Sequence, residues 1–177
     1  MSGPVSELEE TRGSFIDSRG WVIADKVVAH YLWRNVVVEG KPVYADTDLR
    51  TRLAPHPDDV GLPPYNDVAT PAMPPAREEP VQWPAILVER TPGGGINADG
   101  YEDLARLQIT AFGLTRNQSD AMTAEIRGLM HDLSDGEYLE LEFDRIREDT
   151  GPGRVPDPNE DLRAVPTRWT VRTRNQP

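Results

Sequence analysis

The chain has 177 residues, no cysteine and a formal net charge of −11. Disulfides and Cys-ligated zinc are therefore excluded, and a general affinity for nucleic acid is disfavoured because phosphate neutralisation needs clustered Lys and Arg. A hydrophobic fraction of 37% beside 17 prolines and 14 glycines predicts one domain with a small core and a large loop-rich part.

Residues 1–17 open on the acidic stretch MSGPVSELEETRG, which has no signal-peptide core, and read as a flexible N-terminus. The protein is accordingly expected in the cytoplasm until it is assembled into something larger. Residues 18–177 read as a single α+β domain. From Ser18 to Val38 the spacing predicts a first helix of about four turns, with Ala24, Val28, Tyr31, Leu32 and Asn35 on one face. The closing Val36-Val37-Val38 run could instead begin a strand. Trp21 and Trp33 lie off the main stripe and read as covers for the helix ends, an exposed Trp being the mark of an interface.

Gly40 to Trp83 holds prolines at 42, 55, 57, 63, 64, 71, 74, 75 and 80, and its acids outnumber its bases. Proline removes a ladder donor and holds its predecessor extended, so no regular helix or central strand is expected in this insertion. It reads equally as a surface loop or as an extended arm laid across a neighbouring subunit.

The best-defined stretch follows. Pro84–Arg90 reads as a strand, and Thr91-Pro92-Gly93-Gly94-Gly95 as a hairpin or wide turn that uses positive φ. In the next strand Ala105, Leu107, Ile109 and Ala111 share one face, and Arg106, Gln108 and Thr110 the other. After Gly113 the period changes to 3.6. Met122, Ile126, Leu129, Met130 and Leu133 then form one helical stripe, with Asn117 as the expected N-cap and Gly136 as the stop. Asn117-Gln-Ser also matches a glycosylation acceptor but is read as the cap.

Glu137–Glu148 alternates as one strand, Leu139, Leu141 and Phe143 facing one way and Glu140, Glu142 and Asp144 the other. Ala164–Arg174 alternates too, with Val165, Trp169 and Val171 opposed to Arg168, Arg172 and Arg174. Paired antiparallel, the two set an acidic row against a basic row. The arginines then serve either that pairing or an acidic partner. The expected fold is an antiparallel or mixed sheet of about four strands with two main helices packed on it, plus the Pro-rich arm at 40–83.

Catalytic motifs are weak. Ala54-Pro55-His56-Pro57-Asp58-Asp59 resembles the His-Pro-Asp-Asp signature of zinc-dependent N-acetylglucosaminyl deacetylases, in which the His and second Asp bind metal and the first Asp is the base. Here no apolar strand precedes it, Val60 replaces the family's Glu, and no later His-x-x-His follows. A metal-dependent hydrolase on His56, Asp58 and Asp59 is the remote alternative. The Gly-rich run lacks the Lys-Ser/Thr of a P-loop. His30 reads as solvated on the polar flank of the first helix, and His131 as a helix C-terminal cap. No catalytic, cofactor or metal site is assigned.

The combination of WVIADKVVAHYLW, a Pro-rich segment, PAILVERTPGGG, DLARLQITAFG, SDAMTAEIRGLMHDL and two closing strands resembles the tail-terminator proteins of long-tailed bacteriophages, especially those infecting actinobacteria. The resemblance covers about Ile23–Val38 and Trp83–Arg174, and the long insertion departs from it. It implies a structural virion protein, without enzymatic activity or cofactor, at the junction of tail and neck. Such proteins form a ring, usually of six subunits, on the head-proximal end of the tail tube. The ring stops polymerisation of the major tail tube protein and offers a surface to the head-tail connector or stopper, with no recognition of nucleic acid sequence and no membrane. On this reading Gly93, Gly94, Gly95, Arg168, Arg172 and Arg174 are candidate subunit or tube contacts. Another neck component, an adaptor or stopper, is the alternative; an adaptor would be mostly helical and a stopper a small β-barrel.

Overall fold

The computed structural model describes residues 15–47, 84–97, 100–153 and 163–174. In chain order its elements are α1 (Ala24–Asn35), β1 (Val37–Val38), β2 (Lys41–Pro42), β3 (Tyr44–Asp46), β4 (Ala85–Ile96), β5 (Glu102–Gly113), α2 (Arg116–Leu133), β6 (Gly136–Tyr138), β7 (Leu141–Thr150) and β8 (Arg163–Arg174). A six-stranded sheet runs β3-β4-β5-β8-β7-β6, antiparallel except where β3 lies parallel to β4, and β1 and β2 form a separate two-stranded ribbon. This is the expected α+β layer. The four long strands are those read from the sequence, and short β3 and β6 extend the sheet at its margins.

Both helices pack on the same sheet face. α1 packs on β3 and β4, while α2 packs on β5, β7 and β8. The alternation of β5 holds as expected, with Ala105, Leu107, Ile109 and Ala111 buried against the helices. Trp169 is fully buried, and its Nε1 donates to Thr167 Oγ1 (2.9 Å), whose hydroxyl donates to the Ile109 carbonyl (3.1 Å). The largest core side chain thus brings its polar atom in already satisfied. Met122, Ile126 and Met130 supply the α2 stripe, with Leu129 only partly buried.

Several boundaries differ from expectation, each for a local reason. The first helix does not begin at Ser18, because the Asp17 carboxylate accepts from the Arg19 and Trp21 amides (2.8 and 2.9 Å) and closes a turn there. Phe15, just before it, is buried in the core. Val27 rather than Asn35 completes the buried stripe of α1, and β-branched Val37-Val38 becomes β1. The Pro-rich stretch is less irregular at its start than expected, since 41–42 and 44–46 form β2 and edge strand β3. Its remainder, 48–83, lies outside the described residues.

Thr115, not Asn117, caps α2. Its hydroxyl accepts the Gln118 amide (3.2 Å), and Gln118 Oε1 accepts the Leu114 amide (2.9 Å), a reciprocal pair close to a capping box. At the other end the left-handed residue is Asp135 (φ 57°), and Gly136 already belongs to β6. Glu137–Glu148 is not one strand: Tyr138 pairs with Leu141, so the chain reverses at Leu139-Glu140, both with positive φ (54° and 60°). A two-residue hairpin loop needs that geometry.

Gly93-Gly94-Gly95 is not the hairpin turn either. β4 pairs Arg90 with Leu107 and then Gly94 with Ala105, so Thr91-Pro92-Gly93 bulges out of the ladder. A bulge accommodates Pro92, which has no amide to donate. Thr91 Oγ1 donates instead to the Arg106 carbonyl (3.2 Å). The true turn is at Asn97, whose Oδ1 accepts the Tyr101 and Glu102 amides (3.0 and 3.3 Å).

Gly94 combines positive φ (83°) with an approach in which a Cβ would lie 1.9 Å from the Leu104 carbonyl oxygen, whereas Gly40, also at positive φ, has open space around it. Gly94→Ala should therefore cost roughly 2 kcal/mol or more and Gly40→Ala clearly less, read as urea midpoints. Equal midpoints would mean that the bulge does not need its glycine.

Candidate functional site

The face of the sheet opposite the helices carries the even-numbered positions of β5 and β8. The register aligns them in rows across three strands. Arg106 pairs with Thr170, which pairs with Arg147; Leu104 pairs with Arg172, which pairs with Arg145. Two consecutive rows thus gather four arginines around Thr170. With Gly94 they line a groove of about 260 Å³.

β7 reaches this arrangement through two bulges, between Phe143 and Arg145 and between Glu148 and Thr150. The first is tied to α2 by Ser134, whose Oγ accepts the Ile146 amide (3.0 Å). At the second, Glu148 pairs with Arg127 of α2 (2.8 Å), while its neighbours Arg147 and Asp149 bond each other (2.7 Å).

The electrostatics are uneven. Burial pushes the Asp149 carboxyl up, but hydrogen bonds from Thr170 and Arg147 and the charges of Arg147 and Arg106 prevail and hold it below its ordinary value of 3.8. Arg172 reaches Glu102 only at 3.8 Å, and its Nε is buried without a hydrogen-bond partner. Arg145 stands directly opposite Arg172 in the ladder. Like charges at such positions are unfavourable, by roughly 0.2–1 kcal/mol.

Of the six candidate contact residues, the fold brings Gly94 and Arg172 into this groove. Gly93 borders it, since a Cβ there would lie 2.8 Å from Arg106 Nη1. Arg174 is occupied at one end of the face by Asp144 (2.9 Å) and more loosely by Glu142 (4.0 Å), which is the acidic-against-basic pairing read from the sequence. Arg168 is exposed in the next row, opposite Gln108 and Thr150, and Gly95 lies in the ladder opposite Leu104. Arg106, Arg145 and Arg147 were missed. Arg106 was visible on the polar face of its strand, but the β7 arginines depend on bulges that no periodicity announces.

A second feature lies on the helix side. His30 is half-buried, not solvated: its Nδ1 is 2.8 Å from the Tyr138 hydroxyl, among Phe15, Trp33 and Tyr138. Burial, and then the charge of Arg34, push its imidazole below 6.5. Trp33 is 41% exposed, with the Arg34 guanidinium 5.1 Å from its ring centre. His131 occupies the last turn of α2, edge-on to Trp169.

His56, Asp58 and Asp59 lie outside the described residues. Among the described residues no group of three or more His, Asp or Glu is placed to hold a metal, and no helix is long and apolar enough to cross a membrane.

The described residues thus form a two-layer α+β unit with both of their helices on one side of the sheet and an arginine-set face on the other. Residues 60–177 match the family model described as phage tail termination protein, and the chain belongs to that family. It is thus a structural component of a phage tail. No curated protein matches the chain. The matched region contains α2, all of β4 to β8 and the whole arginine lattice.

Two titrations follow from the shifts. Asp149, depressed in the folded state, contributes stability that is full above pH 3.8 and is lost as pH falls through its lower folded value. The wild-type urea midpoint should exceed that of Asp149→Asn near pH 6 and converge on it toward pH 3; a constant gap would overturn the assignment. His30 is also depressed, so its contribution is full above pH 6.5 and declines below. Between pH 7.5 and 5 the wild-type midpoint should fall more than that of His30→Phe.

Proposed function

We propose that this chain is the subunit of a ring at the head-proximal end of the tail tube, where it stops addition of tube protein and joins the tail to the head-tail connector. The observation that carries this reading is the family match, which spans the sheet from β4 to β8 and the helix that covers it. The architecture agrees. Among the described residues the sheet is open, with margins at β3 and β6, which does not fit the small barrel expected of a stopper, and they do not form the mostly helical unit expected of an adaptor. An open sheet whose two described helices lie on one face leaves different surfaces for different neighbours, as a subunit in a head-to-tail ring requires. The role is structural and calls for no catalytic group or cofactor.

The test has two readouts. Light scattering on a sizing column should give a species near six times the 19.8 kDa chain mass, alone or when short tubes of the tail tube protein are supplied as template. Electron microscopy of tube protein polymerising with a stoichiometric amount of this chain should show short tubes capped at one end, against long uncapped tubes without it. Tubes that lengthen equally in both reactions would sink the proposal.

A further inference from the structure

Two like-charge pairs stand in the sheet, and they are opposite in sign. Arg145 faces Arg172 across β7 and β8; Glu137 faces Glu142 across β6 and β7. Each is unfavourable within one chain. In register, neither partner can move away without shifting the alternation of its strand. Arg145 forms no ion pair among the described residues, and Arg172 has only the distant Glu102 carboxylate. At the sheet's β6 margin, Asp132, Asp135 and Glu137 are exposed, with no base between His131 and Tyr138. They gather where α2 ends and β6 begins, at the lateral margin of the sheet.

We propose that the groove formed by Arg106, Arg145, Arg147 and Arg172 receives the acidic β6 margin, Asp132, Asp135 and Glu137, of a second copy of this chain. This rests on the ring reading and identifies its subunit contact. Guanidinium forks match carboxylates in pairs, and Arg145, Arg172 and Glu137 each gain an opposite charge when the contact forms. The two surfaces differ, a broad face on one copy and a margin on the next, so the contact propagates head to tail and closes where the rotation permits. A phosphate backbone could also neutralise arginines, but a molecule of charge −11 repels one at a distance, whereas the β6 margin supplies carboxylates locally. Gly93 and Gly94 serve the same contact by leaving room above the Arg106 guanidinium and the Leu104 carbonyl.

The test uses Arg145→Glu and Glu137→Arg in the full chain, under the conditions in which wild type associates. Each substitution turns a repelling cross-strand pair into an attracting one, so the urea midpoint of the isolated chain should hold or rise. Each should nonetheless raise the concentration for half-association by about tenfold or more, read by light scattering. An equimolar mixture of the two should recover the wild-type mass, because the carboxylate introduced by Arg145→Glu then meets the guanidinium introduced by Glu137→Arg. Wild-type association should weaken between 0.05 and 0.5 M NaCl. Unchanged association of Arg145→Glu, or failure of the mixture to recover, overturns the proposal. So does binding of a short duplex DNA that is lost in Arg145→Glu while self-association is kept. Wild type that stays monomeric even with tube ends supplied refutes the ring reading itself, a result distinct from the other two.

Discussion

The structure depends on the uninterrupted pairing of β5 with β8. The two strands run antiparallel in continuous register from Glu102 opposite Arg174 to Gly113 opposite Arg163, with no bulge. A slip of one residue would carry Leu107, Ile109, Trp169 and Val171 to the wrong side and bring the arginines into the core. The burial of Trp169, with its indole nitrogen satisfied through Thr167 and the Ile109 carbonyl, penalises any such slip twice, in lost packing and in an orphaned donor. The same alternation that fills the core therefore fixes the outer face. Arg106 and Arg172 point away from the helices because their neighbours cannot.

The outer strands depart from that regularity where the face takes on character. Flanking β5, β4 bulges at Thr91-Pro92-Gly93; flanking β8, β7 bulges twice. Each bulge re-aims side chains while the central pair holds its register. On β7 the result is that Glu148 turns inward to Arg127 while Arg145 and Arg147 join the arginine rows. On β4 the glycines withdraw side chains from above Arg106 and Leu104. The groove is thus made by two irregular strands around a regular centre.

This division also explains what was legible in the sequence. β5, β8 and the stripe of α2 were readable because burial there follows a single period, and the α+β class followed from them. Features set by competition among local hydrogen bonds were not. Asp17 diverts the chain before α1, Thr115 outcompetes Asn117 for the cap, and Leu139-Glu140 adopt a left-handed turn without glycine. Tyr138 shows why the last is tolerated: it docks edge-on to Tyr31, 4.9 Å away, and against His30, so packing against α1 holds β6 in place despite its turn. The candidate contacts fared similarly. Gly94 and Arg172 were placed by composition and alternation, but their convergence with Arg145 and Arg147 depends on register across three strands.

The charge pattern gives the outer face a meaning that the core does not need. A sheet face exposed only to water could set Arg against acidic residues across its strands and gain a little stability from each pair, as Arg174 does with Asp144. At Arg145 and Arg172, and again at Glu137 and Glu142, the chain instead sets like charges opposite each other in a register it cannot adjust, Glu142 being relieved only by Arg174 at 4.0 Å. Arg174 shows that the same two strands can hold complementary pairs, so β7 and β8 are not barred from them by geometry. The repulsion is small within one chain, and it is located on the sheet face away from the two described helices and at its β6 margin. In the contact proposed above, a surface that is slightly unfavourable alone and complementary to a second surface of the same molecule would bias the subunit toward its neighbours and away from remaining free.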